Sequence, residues 1–171
     1  MIVISKAKLE DSKILSKLSI ASFLPAHGHS ASKKDIDEYV SKSFSEVSFK
    51  KELEDKNNLY YLIYYKNEIA GYSKIVLNDS CKEITSKNIT YMSRLYLLEE
   101  YYGLGLGKKI FDFNLSICKE NKQVGIWLKV WVENQKAINF YTKNGFKIIG
   151  KSDFKISETH SNPNHIMYLE F

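Results

Sequence analysis

The chain has 171 residues, 44% of them apolar, enough for one domain with a substantial core, so residues 1–171 are expected to form a single unit. No apolar run reaches the length of a membrane span, and Met1-Ile2-Val3-Ile4-Ser5-Lys6 lacks the charged-then-apolar layout of a signal peptide. The formal charge of +5 comes almost entirely from scattered lysines, which describes a solvated surface better than a nucleic-acid stripe and would also attract phosphates. Cys81 and Cys118 make no disulfide framework, so a cytoplasmic chain with reduced thiols is expected.

Ile2 to Lys6 reads as a strand. A helix starts at Leu9-Glu10-Asp11, with Asp11 as its cap and Ile14, Leu15, Leu18 and Phe23 at helical spacing. Leu24 to Ser32, containing Pro25 and Gly28, reads as a loop. Ser32 with Asp35 starts a second helix carrying Ile36, Tyr39, Val40 and Phe44, and Ser48 to Lys56 a third. Leu59 to Tyr65 and Ile69 to Leu77 are rich in aromatic and branched residues and predict a hairpin about Lys66-Asn67-Glu68. After a polar loop, Ile89 to Leu97 is a central strand, and a helix with one apolar face runs to about Asn121. Val124 to Val132 reads as a buried strand, Asn134 caps a helix that Asn144-Gly145 ends, and Phe146 to Gly150 and His165 to Phe171 read as the last strands.

Tyr101-Tyr102-Gly103-Leu104-Gly105-Leu106-Gly107-Lys108-Lys109 joins the central strand to the helix after it. Glycines allow a sharp backbone turn, and the first amides of a helix lack internal partners and sit at its positive pole, so an anion such as a pyrophosphate is the natural occupant. A Walker loop fails here, because only three residues separate Gly103 from Gly107 and Lys109 stands where Ser or Thr should. The G-x-G-x-x-G dinucleotide spacing fails as well.

What fits is the acyl-CoA pattern Q/R-x-x-G-x-G/A of the GNAT acetyltransferases, with Tyr102 replacing the usual Gln or Arg. Trp131 to Tyr141 resembles that family's N-x-x-A-x-x-F-Y stretch and Asn144-Gly145-Phe146 its closing motif, so the resemblance spans nearly the whole chain. Tyr64 to Ile75, Gly105-Leu106-Gly107-Lys108 and Ile126 to Trp131 are similar to bacterial spermidine/spermine N-acetyltransferases. The resemblance implies an α/β (α+β) protein of the GNAT acyl-CoA N-acyltransferase fold, a mixed, mostly antiparallel sheet flanked by helices. It implies acetyl-CoA as co-substrate, no metal, and a small-molecule amine, a polyamine first, as acceptor. A protein or peptide acetyltransferase and a non-catalytic acyl-CoA-binding module are the alternatives. Neither nucleic acid nor membrane is expected as a partner, and a homodimer is left open.

Residue by residue, the resemblance places Leu95, Tyr96 and Leu97 along the pantetheine arm. It places the amides of Tyr102, Gly103, Leu104, Gly105, Leu106, Gly107 and Lys108 on the pyrophosphate, Asn134 on the pantetheine and Lys143 near the nucleotide phosphate. Tyr141 aligns with the family's general acid. The carboxylate that some members carry on the central strand is missing, since Tyr91 and Ser93 occupy its positions, and Glu99 and Glu100 are the nearby acids. Asp35, Asp37, Glu38 and Glu46 are candidates for an acidic landing for a polycation. His27-Gly28-His29 is too sparse for a metal site and is assigned to a substrate loop or the surface.

Overall fold

The computed structural model describes all residues, 1–171. Strand β1 (Ile2–Lys6) leads through a short 3-10 turn into α1 (Ser12–His27), followed by α2 (Lys33–Ser43) and α3 (Glu46–Glu54). Strands β2 (Asn58–Tyr65), β3 (Glu68–Val76) and β4 (Thr90–Leu97) come next. Then α4 (Leu106–Glu120), β5 (Gly125–Trp131), α5 (Gln135–Lys143), β6 (Lys147–Lys155) and β7 (Ser161–Glu170) complete the chain. The seven strands form one sheet in the order β1-β2-β3-β4-β5-β7-β6, antiparallel except for β4 beside β5.

Local chemistry accounts for most boundaries. Ser32 and Ser45 each accept a hydrogen bond from the amide three residues on, and so open α2 and α3. Ser45 as cap therefore starts α3 at Glu46, two residues before the expected Ser48. Lys66 and Asn67 both adopt positive φ, 50° and 69°, the left-handed pair that a two-residue hairpin between twisted strands needs.

One helix face packs on each side of the sheet. Leu15, Leu18, Phe23, Ile36, Phe44 and Phe49 from α1–α3 meet Tyr60, Leu62 and Tyr72. On the other face, Phe111 and Cys118 of α4 and Ile138 of α5 meet Met92, Ile126, Leu128 and Val130. Buried Asn114 ties α4 to the sheet by accepting a hydrogen bond from Ser73 at 3.0 Å.

Three further boundaries differ from expectation. The predicted Leu24–Ser32 loop begins only at Gly28, because α1 runs through Pro25 to His27. Pro25 lies in the last turn, where its missing N–H costs one bond, and Gly28 closes the helix by donating to Leu24 at 2.8 Å. Strand β6 continues past Gly150 to Lys155, and β7 starts at Ser161 instead of His165. Pro163 is accommodated there because only its carbonyl is required, accepting from the Val132 amide at 3.0 Å.

The break in pairing between β4 and β5 positions the site. β4 and β5 pair only at Thr90–Ile126 and Tyr91–Trp127. Their outer edges stay paired much further, β4 to β3 as far as Leu97 and β5 to β7 as far as Trp131. The β3–β4 register skips Ser93, a bulge that adds twist to β4 just where it leaves β5. The two strands therefore diverge and open a gap through the sheet.

Candidate active site

A cavity of about 680 Å³ occupies this gap and reaches both faces of the sheet. On the α4–α5 face it is floored by the glycine loop. Gly103 and Gly105 have φ of +78° and +74°, and a Cβ at either would meet nothing within 4 Å, so the bend is open. The amides of the six residues from Gly103 to Lys108 donate to no protein acceptor, and the first closing bond runs from Lys109 to Gly105 at 3.1 Å. Such a run of unpaired N–H groups at a helix start is a site for a diphosphate.

Tyr102 does not belong to that run. Its amide donates to the Glu99 carbonyl at 3.0 Å, which removes it from the expected set of pyrophosphate amides. Its ring instead carries the Lys136 ammonium 3.6 Å from the centroid. Lys108 is paired with Asp112 one turn along the helix, so its charge is partly spoken for. Lys143 is exposed at the end of α5 and is not on the cavity wall, whereas Lys136, the second residue of α5, is. Lys136 is a lining cation not expected from the sequence. Its place directly after the capping Asn134 and Gln135 was the available signal.

Leu95, Tyr96 and Leu97 line the gap. The Leu98 amide donates to Ala70 on β3 at 2.9 Å, so by strand alternation the Leu97 and Leu95 amides point the other way, into the gap. Asn134 caps α5 through its Oδ1, which accepts from Ala137 at 3.2 Å, and leaves its Nδ2 without a protein partner beside the cavity. Tyr141 lines the same wall, its ring packed on Phe140 and Phe146 at 5.3 and 5.4 Å. Its hydroxyl has no protein partner, and burial pushes the phenol well above its ordinary value, so it is held protonated.

On the opposite face the cavity is bounded by the end of α1 and by β5, β6 and β7. Phe23, His27, Tyr96, Trp131, Phe154 and Asn162 form this compartment. His27 stacks on Phe23 (4.9 Å) and meets Trp131 (5.9 Å) and Tyr96 (6.4 Å), while exposed His29 meets Trp131 at 5.4 Å. The loop after α1 is fastened over it by His160, whose Nε2 lies 2.9 Å from the Ser30 carbonyl and 2.8 Å from Asn162 Oδ1. Two acceptors at one nitrogen require Nε2 to carry the proton.

Acidic groups are nearly absent from the wall, where Glu99 is the one carboxylate, at the glycine-loop end near Tyr102. Glu100, Asp35, Asp37, Glu38 and Glu46 do not line the cavity. Asp35 interacts with Ser32, Asp37 with Lys33 and Glu46 with Lys50. The acidic landing expected from these residues is therefore not part of the site. No three His, Cys, Asp or Glu side chains converge as a metal-binding group.

The fold and the split sheet define an acyl-CoA-dependent transferase, and comparison with known proteins gives the family. The acetyltransferase (GNAT) family profile matches residues 24–146, and the chain belongs to that family of acetyl-CoA-dependent N-acetyltransferases. It is 27% identical over 141 residues to an uncharacterized N-acetyltransferase of Lactobacillus delbrueckii subsp. lactis, covering 82% of each chain. It is 30% identical over 107 residues to the spermine/spermidine N(1)-acetyltransferase of Bacillus subtilis, covering 60% of this chain and 70% of that one. In three dimensions it resembles the PaiA N-acetyltransferase of Thermoplasma acidophilum in complex with coenzyme A. The TM-score is 0.80 at 22% identity, over 100% of this chain and 99% of that one.

Proposed function

We propose that the protein transfers the acetyl group of acetyl-CoA to the primary amine of a small molecule by direct attack in a ternary complex. The observation that carries this reading is the single cavity through the sheet, with an amide nest at one end and an aromatic compartment at the other. The nest and Lys136 hold the diphosphate, and the Leu95–Leu97 edge and Asn134 Nδ2 hold the pantetheine arm. The thioester then lies in the β4–β5 gap, where the Leu95 amide faces the oxygen that becomes charged during attack.

Tyr141 supplies a proton to the departing thiolate. On ordinary values, phenol near ~10 and thiol near ~8.5, that transfer is uphill by about 2 kcal/mol. Burial raises the Tyr141 phenol and the departing thiolate alike, so the two shifts offset each other in part. The acceptor's ammonium end is held by the faces of Trp131, Tyr96 and Phe23. A body with few further charges suits a wall that bears no carboxylate at that end. Polyamines are the second reading, favoured by the resemblance to the Bacillus subtilis spermine/spermidine enzyme. The free buried thiols of Cys81 and Cys118 suit a reducing, cytoplasmic setting. No helix is long and apolar enough to cross a membrane.

The test is CoA release from acetyl-CoA with spermidine, spermine, amino acids, aminoglycosides and N-terminal peptides, run on wild type and Tyr141→Phe. Turnover in the variant should fall about 10²- to 10⁴-fold while acetyl-CoA affinity is nearly kept. Equal rates would remove Tyr141 as the acid. Tight acetyl-CoA binding with no turnover on any amine would make the chain a binding module.

A further inference from the structure

The aromatic compartment contains one group that the reaction as described does not use. His27 ends α1 and touches a side chain from each of the two diverging strands, Tyr96 of β4 and Trp131 of β5. It therefore spans the mouth of the gap on the acceptor side. Phe23 fixes the plane of its ring from below at 4.9 Å. Neither ring nitrogen has a protein partner, and neither is a sealed, unsatisfied atom, so both are available to the cavity.

We propose that His27 is the proton acceptor of the acetyl transfer, taking the proton that the attacking nitrogen must lose. The proposal rests on the reading that an amine is acetylated in this cavity. Two observations favour His27. No carboxylate lines the acceptor end, and the imidazole is neutral where it is needed. Burial, and secondarily His29, lower its pKa to about 4. The groups that face it are Phe23 from α1, Tyr96 from β4, Trp131 from β5 and His29 from the following loop; none carries negative charge.

Its low basicity decides when the proton moves. Transfer from a free alkylammonium, with a pKa near ~10, lies about a million-fold against His27. The ammonium held in the compartment must therefore first lose one proton to water, and the amine then attacks as the free base. Its lone pair forms the C–N bond and the carbonyl π electrons move to oxygen. The nitrogen becomes cationic and far more acidic, and only then gives its proton to His27. The C=O bond re-forms as the C–S bond breaks, and Tyr141 protonates the thiolate. His27 releases its proton to water past exposed His29, and Tyr141 regains one from water.

The experiment compares wild type, His27→Phe and His27→Ala on an amine that wild type acetylates. His27→Phe keeps an aromatic ring in the packing, so acetyl-CoA affinity and melting temperature should stay near wild type. Its kcat should fall about 10²- to 10⁴-fold. In His27→Ala, added imidazole should restore turnover in proportion to its free-base concentration, a response that a purely structural role does not produce. A His27→Phe variant with wild-type kcat overturns the proposal. So does a folded His27→Ala that binds acetyl-CoA normally and ignores imidazole. If wild type acetylates no amine, the proposed function falls with it; if wild type is active and His27→Phe equally so, only the role of His27 falls.

Discussion

Gly105→Ala separates what the glycine loop does for the fold from what it does for the ligand. Gly105 is the residue before α4 and sits at φ +74°, a left-handed conformation that costs an L-residue about 1–2 kcal/mol. Nothing lies within 4 Å of the added methyl, so no steric term is added and the stability loss should stay near that conformational value. For a chain of this size, each 1 kcal/mol lowers the melting temperature by roughly 2–4 °C. The ligand loses more. The methyl stands on the cavity wall among amides that have no protein partner, and displacing one charge-assisted hydrogen bond costs about 1.5–3 kcal/mol. Acetyl-CoA should bind roughly 10- to 150-fold more weakly. Calorimetric titration with CoA, beside thermal unfolding of the same sample, measures both terms. A variant that melts a few degrees lower yet binds CoA as tightly as wild type would refute the view that this bend grips the diphosphate.

Two further substitutions test the scaffold around the gap. A Cβ on Gly71 would stand 2.2 Å from the Tyr96 carbonyl oxygen and 2.9 Å from Leu97 Cα. Gly71→Ala should therefore force β3 from β4 at a cost of about 3 kcal/mol or more, read as lost soluble yield and a lowered denaturant midpoint. Wild-type stability would mean that the strands yield there. Glu52 is shared between Lys74 at 2.6 Å and Arg94 at 3.5 Å, in a network with Tyr60. Burial pushes its carboxyl up, but Arg94, Lys74 and the Tyr60 hydroxyl pull it further down, leaving it below its ordinary value. Its contribution is thus complete above the unfolded carboxylate pKa and is lost as pH falls through the folded one. Glu52→Gln should lower stability at pH 7 and flatten its decline on acidification below about pH 4.5. Parallel pH curves for the two proteins would contradict that assignment.

The features that local chemistry controls could be read from the residues. The serine caps at Ser32 and Asn134's cap on α5, the left-handed glycines of the loop and the apolar face of α4 each depend on neighbours a few positions away. Periods of 2 and 3.6 separate strand from helix wherever one face is buried. Strand β6 lacked that signal: it lies on an edge, its side chains are mostly exposed, and Gly150 reads as a stop.

What the tertiary structure alone decided are relations between distant segments. The gap arises because β5 follows β7 while β4 follows β3, and no residue in β4 or β5 announces it. It brings His27 onto Trp131 across more than a hundred positions, a contact that a reading of Pro25 as a helix stop had hidden. The tertiary structure also puts Lys136 on the cavity wall and Lys143 off it, and pairs Asp35 and Asp37 of α2 with Ser32 and Lys33 away from that wall. Helical phase says which residues share a face, but only packing against the sheet says which face meets the cavity.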